Sequence, residues 1–169
     1  MKINKTLTIL TFFLLLSCGF EPIYSQKKLE SNYNFTIESI GFSGNNNINQ
    51  YLKNDLANYI NNKDKEIKYD LIINSNIKKT ITSKNTKGNP EIFYTKIQVN
   101  VDIIEDDKIK NKTIFEEGFE YKNKSSKFEL NKYEENIQKN LTNELSKDLI
   151  EYLYNIKWFK KLLKYIILI

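Results

Sequence analysis

Two stretches of this chain alternate apolar and polar residues with a period of two, and that alternation limits the fold more than any other feature. In the first, Tyr69, Leu71, Ile73, Ile77 and Ile81 face one way, while Asp70, Asn74, Asn76, Lys78, Thr80 and Thr82 face the other. In the second, Phe93, Thr95, Ile97, Val99, Val101 and Ile103 oppose Tyr94, Lys96, Gln98 and Asn100. Successive side chains of a strand point to opposite faces, so each stretch predicts a long strand with one buried face and one polar face. The Asn, Gly and Pro residues between Lys84 and Pro90 supply the loop that joins them.

The remaining segments must cover the apolar face. Tyr33, Phe35 and Ile37 predict an earlier strand; Ile40 and Phe42 fall out of phase with them, which predicts a bulge near Ser39. Gly41 to Asn47 reads as a turn with asparagine N-caps. Ile48, Tyr51, Leu52, Leu56, Tyr59 and Ile60 then recur at helical spacing up to Asn61-Asn62-Lys63. After the two long strands, Glu105 to Lys112 reads as a turn, and Phe115, Phe119 and Tyr121 mark a fourth strand with Glu116, Gly118 and Glu120 opposite. The loop from Lys122 to Lys127 offers Ser125 or Ser126 as the cap of a long helix. Its stripe runs Leu130, Tyr133, Ile137, Leu141, Leu145, Leu149, Tyr152 or Leu153, and Ile156, and is read as core packing.

The order is β-α-β-β-β-α. A right-handed crossover makes the first two strands parallel, and the next three form an antiparallel meander. Both helices bury their stripes on the one apolar face, which gives an α+β two-layer sandwich: two helices packed on one face of a four-stranded mixed sheet. The directions put the turn at 41–47 and the loops at 84–90 and 122–127 at one end, with Lys108, Lys110 and Lys112 at the other. Lys79, Lys84, Lys87, Lys124 and Lys127 thus share a basic tip at the first end.

The N-terminus carries different information. Lys2 and Lys5 precede an apolar run from Leu7 to Leu16, too short to cross a bilayer but of signal-peptide length. Leu15-Leu16-Ser17-Cys18 fits a bacterial lipobox, so residues 1–17 are expected to be a lipoprotein signal peptide and Cys18 the site of lipid attachment. Diacylglycerol and an N-acyl chain such as palmitate would then be covalently attached at Cys18, and no other cofactor is expected. One acyl chain alone binds a membrane marginally, whereas three anchor it. Gly19 stands where an aspartate would favour retention in the inner membrane, which points to the periplasmic side of the outer membrane. Residues 18–32 read as the lipidated tether, 33–156 as the folded domain and 157–169 as a basic apolar tail.

Composition narrows the chemistry. The chain has no histidine and a single cysteine, which excludes histidine general bases, catalytic triads and Cys/His zinc sites. The carboxylate groups Glu105-Asp106-Asp107 and Glu116-Glu117 lack the glycine of a calcium loop, so no metal site and no catalytic residue is assigned and the chain is read as a non-enzyme. All 26 basic residues are lysine, which removes the arginine forks of nucleic-acid recognition, and no nucleic-acid partner is expected. In the tail, Trp158, Phe159, Lys160 and Lys161 are candidate membrane contacts if the segment lies at an interface; otherwise the tail is a packing extension over a sheet edge or helix groove.

The stretch Cys18-Gly19-Phe20-Glu21-Pro22-Ile23-Tyr24 resembles the mature start of the alphaproteobacterial lipopolysaccharide-assembly lipoproteins, the LptE family. The element order over roughly residues 20–156 is similar to the fold of that family. The resemblance implies an outer-membrane lipoprotein that plugs and helps assemble an LptD-like β-barrel translocon and assists lipopolysaccharide transport to the cell surface. Its partners would be that barrel, lipopolysaccharide and the inner leaflet of the outer membrane, with Lys79, Lys84, Lys87, Lys124 and Lys127 the candidate contacts for the phosphates of the glycolipid; the other reading of these lysines is a solvated surface in a lysine-rich chain. The absence of arginine and the apolar tail depart from the family. The alternative is an accessory lipoprotein of another envelope complex, such as an ABC-type exporter or a peptidoglycan-linked machine.

Overall fold

The computed structural model describes residues 33–105 and 108–167, the last eleven as backbone only. The signal peptide, Cys18 and most of the tether expected from the sequence lie outside the described residues. Residues 34–169 form one compact unit. Its elements are β1 (Phe35–Gly44), α1 (Asn46–Leu56), a 3-10 turn (Ala57–Tyr59), β2 (Ile67–Lys84), β3 (Pro90–Glu105), β4 (Lys108–Lys122) and α2 (Lys127–Ile167). The sheet order is β1-β2-β3-β4, with β1 parallel to β2 and the other pairs antiparallel. This is the β-α-β-β-β-α, α+β arrangement that the alternation implies.

The bulge falls at Glu38. Ile37 pairs with Tyr69 and Ser39 with Asp70, so one extra residue on β1 opposes a single step of β2. The shift returns Ile40 opposite Leu71 and Phe42 opposite Ile73, on the same side as Phe35 and Ile37. A strand whose apolar residues change phase thereby keeps all four toward the helices. Between the layers, Leu71, Ile73, Ile97, Val99, Val101 and Ile103 of the sheet meet Ile48, Leu52 and Leu56 of α1 and Leu145, Leu149 and Leu153 of α2, all buried. Each such side chain contributes about 1.5–3 kcal/mol relative to exposure. The two helices approach closely at buried Thr142 and Ser146, and the Ser146 hydroxyl reaches Asp55 Oδ2 of α1 at 3.1 Å.

Three boundaries differ from the sequence reading. Gly41 to Gly44 stay in β1, and the chain reverses at Gly44 alone. There the Asn45 N–H donates to the Ser75 carbonyl at 3.0 Å, and Asn45 Oδ1 accepts from the N–H groups of Asn47 and Ile48 to cap α1. The expected turn from Glu105 to Lys112 is much shorter: Glu105 pairs with Lys108, and β4 occupies the rest. That half of β4 reads as loop because its half-buried positions, Asn111 and Thr113, are polar, while the apolar Ile109 and Ile114 of this edge strand are exposed. Finally, α1 gives way to the 3-10 turn before Ile60, which bridges to Ile37.

Register also corrects the expected grouping of loops. Gly44 pairs with Ser75, whereas β2 continues to Lys84, nine residues or about 30 Å farther. The turn into α1 therefore sits midway along β2. Only the β2–β3 loop and the link from β4 to α2 occupy the tip, and β1 with the start of β2 forms the base.

Candidate functional site

At the tip, two short connections are stitched together by backbone and asparagine hydrogen bonds. Asn85 Oδ1 accepts from the N–H groups of Lys87 and Asn89, which closes the β2–β3 loop around Gly88. Gly88 has φ +81° and open space around it. In the neighbouring link, the Asn123 N–H donates to the Glu91 carbonyl at 2.8 Å, and Asn123 Nδ2 donates to the Pro90 carbonyl at 2.9 Å. Ser126, one of the two expected caps, accepts from the Glu129 N–H at the start of α2.

This stitching gathers Lys84, Lys87, Lys122, Lys124 and Lys127, all exposed. Glu91, Glu120 and Glu129 share the same end, so the positive excess is modest rather than a strong field. Two of these lysines, Lys122 and Lys124, line an open groove of about 390 Å³ on edge strand β4, together with Ile92, Phe119, Glu120, Tyr121 and Tyr133. Lys124 Nζ lies 4.8 Å from the centre of the Tyr133 ring, within reach of a cation–π contact. Phe119 is 46 % exposed and Phe128, the second residue of α2, is 76 % exposed. Chemically, the tip combines exposed point cations with aromatic surface.

Lys79 belongs to a different arrangement. It lies on the helix-covered face of β2, where its ammonium pairs with Glu134 of α2 and sits 4.0 Å from the centre of the Phe93 ring. Tyr121 donates its hydroxyl proton to Glu134 Oε1 at 2.9 Å, which leaves Thr95 Oγ1, 3.1 Å away, to donate to the phenol oxygen. Burial is the largest cause pushing the Tyr121 phenol up to about 12. The Thr95 hydrogen bond lowers it, and the hydrogen bond and charge of Glu134 raise it. Lys79 thus ties α2 to the sheet below the groove instead of extending into solvent with the loop lysines.

The sequence reading grouped Lys79 with Lys84, Lys87, Lys124 and Lys127; the structure brings the last four together and sets Lys79 apart. It did not single out the aromatic groove, because Tyr121 and Tyr133 read as core. One signal was available. Lys79 occupies an odd position in a strand whose odd positions from Tyr69 to Ile81 are otherwise apolar apart from Ser75, which calls for a carboxylate on the covering helix. Trp158, Phe159, Lys160 and Lys161 fall where α2 is described as backbone only. Cys18 lies outside the described residues. The open face carries Tyr94, whose ring lies where a Cβ on Gly118 would sit, and the Lys96–Glu116 pair. Among the described residues there is no cluster of three metal-ligating side chains, and no helix is long and apolar enough to cross a membrane.

No family model matches this sequence, and no curated protein does. Solved structures do. The chain is similar to rare lipoprotein B from Shewanella oneidensis, with a TM-score of 0.58 at 11 % identity over 73 % of this chain and 99 % of that one. A minor lipoprotein from Acinetobacter baumannii aligns with a TM-score of 0.55 at 14 % identity, over 74 % of this chain and 93 % of that one. Lipoprotein B from Nitrosomonas europaea gives 0.55 at 11 % identity, over 74 % and 88 %. At these identities the likeness establishes a shared fold: this chain folds as these bacterial lipoproteins do.

Proposed function

We propose that this chain is an outer-membrane lipoprotein, anchored through Cys18 on the periplasmic side, that sits within an LptD-like β-barrel translocon and assists passage of lipopolysaccharide. The observation that carries the reading is the tip. Lys122 and Lys124 line a groove walled by Phe119, Tyr121 and Tyr133, and Lys84, Lys87 and Lys127 are exposed on the connections at the same end. Lipid A and inner-core sugars present phosphates beside apolar and ring surfaces. Lysine meets phosphate as a point donor, and aromatic faces take the less polar parts.

Three further features support the reading. Cys18 follows a lipobox, and the Cys-Gly-Phe start resembles that of the LptE family. The fold is shared with proteins named as lipoproteins. The open sheet face, with Gln98 bonded to Asn100 and Lys96 paired to Glu116, suits the hydrated lumen of a barrel. The chain's contribution would be binding and placement, not bond-breaking.

The test changes Lys84, Lys87, Lys124 and Lys127 together to glutamate and leaves Lys79 intact, because its loss would disturb Glu134. Capture on immobilised lipopolysaccharide should fall at least tenfold while circular dichroism stays the same. Unchanged capture would remove the tip from glycolipid contact. Purification of the acylated protein in mild detergent should recover the barrel in equal amount; recovery of an ATPase complex instead would favour the accessory role in another envelope machine.

A further inference from the structure

The helix α2 does not stop where the sheet stops. Tyr69 Oη donates to the Leu153 carbonyl at 3.3 Å, and Tyr69 is only the third residue of β2. From Leu153 to Ile167 the backbone continues as helix for fourteen more residues, about 21 Å at 1.5 Å each. Only about 7 Å of β2 remains below Tyr69. The end of α2 therefore projects past the start of β2, at the base of the domain.

On a helix advancing ~100° per residue, positions 157, 160, 161 and 164 fall within one stripe about 100° wide. All four are lysine. Positions 158, 159, 162, 163 and 166 fall on the opposite arc, and they are Trp, Phe, Leu, Leu and Ile. With Tyr165 and Ile167 at its margins, that arc covers about 200°, wider than a helix needs to pack on one side of a sheet. No carboxylate follows Glu151 in the sequence, so the lysine stripe has no acidic neighbour on its own segment.

We propose that residues 157–167 form an interfacial helix that seats its apolar arc in an anionic lipid surface, with the lysine stripe at the level of the headgroups. The juxtaposition that carries this is a four-lysine stripe against a continuous apolar arc on a helix end that has outrun its sheet. Such a segment lies on a membrane rather than crossing it. The base from which it projects is also where the chain enters β1, at Phe35. This helix would thus be a membrane attachment separate from the acyl anchor expected at Cys18. The proposal is independent of the glycolipid reading of the tip.

Trp158 is the only tryptophan in the chain, so its fluorescence reports this segment directly. The unacylated 34–169 unit, which contains the whole sheet, both helices and their core, is mixed with phosphatidylethanolamine vesicles containing about a third phosphatidylglycerol. Trp158 emission should move to the blue and be quenched by lipids brominated near the headgroup. Each lysine near an anionic surface is worth roughly fivefold in partitioning, so changing Lys157, Lys160, Lys161 and Lys164 to glutamine should weaken it several hundredfold. Far-UV dichroism checks that the variant remains folded. Emission that ignores vesicles, or that shifts equally with uncharged vesicles, would overturn the proposal. A blue shift that grows with protein concentration in the absence of lipid would also overturn it, because a second copy would then cover the arc.

Discussion

Gly44 and Gly88 share a backbone conformation but not an environment, and together they isolate what holds β1 to β2. Their φ angles are +89° and +81°. Alanine in that region costs about 1–2 kcal/mol at either site. At Gly88 a Cβ meets nothing within 4 Å, so that cost stands alone. At Gly44 a Cβ would lie 2.0 Å from the Ser75 carbonyl oxygen, the same oxygen that accepts the Asn45 N–H at 3.0 Å. Relief requires the end of β1 to move away from β2, which sacrifices that hydrogen bond, worth about 0.5–1.5 kcal/mol. It also disturbs the Asn45 cap, worth about 1 kcal/mol. Gly44→Ala should therefore lose about 2.5–4.5 kcal/mol, against about 1–2 for Gly88→Ala. With a urea slope near 2 kcal/mol per molar, the midpoints should drop by about 2 M and about 0.7 M. Equal losses in the two variants would refute the claim that contact with Ser75, rather than backbone preference alone, makes Gly44 irreplaceable.

Other expectations follow from the buried phenols and from the tie beneath the groove. Tyr69 and Tyr121 are both raised to about 12, chiefly by burial. The unfolded chain loses these protons near pH 10 and the folded one keeps them to about 12, so stability should hold below pH 10 and fall as pH rises towards 12. The loss should be about 2 kcal/mol per tyrosine, and Tyr69→Phe should flatten part of it in urea titrations at stepped pH. Glu134→Gln removes the hydrogen-bonded charge that raises the Tyr121 phenol, so its NMR titration should move down while staying above the ordinary tyrosine value. Lys79→Met leaves the largely buried Glu134 without its cation and should cost about 1–3 kcal/mol; adding Glu134→Gln should recover part of that loss.

Most of the architecture was legible because burial writes a period into the sequence. The alternation from Tyr69 and from Phe93, the phase change between Ile37 and Ile40, and the stripe from Ile137 to Leu149 each report one face of one element. Relative position was not legible. Nothing in β1 or β2 says that Gly44 stops opposite Ser75, since that register is fixed by the Asn45–Ser75 contacts and by α1 docking on the sheet. The base half of β4 was missed because its half-buried positions carry Asn111 and Thr113, so burial there writes no apolar period into the sequence. At the tip, the loop lysines were visible as residues, but the groove forms only where β4, its link and α2 converge. Tyr121 and Tyr133 serve core and groove at once, and periodicity registers only the core role.

Contact with lipopolysaccharide at the tip in the living envelope is the central claim, and site-specific photo-cross-linking tests it most directly. A photoreactive residue at position 87 or 124 should yield a lipopolysaccharide adduct in cells that make the acylated protein, while one at position 110, at the base, should yield none. Adducts from position 110 with none from the tip, or none from any of the three while the protein remains bound to its barrel, would contradict the account.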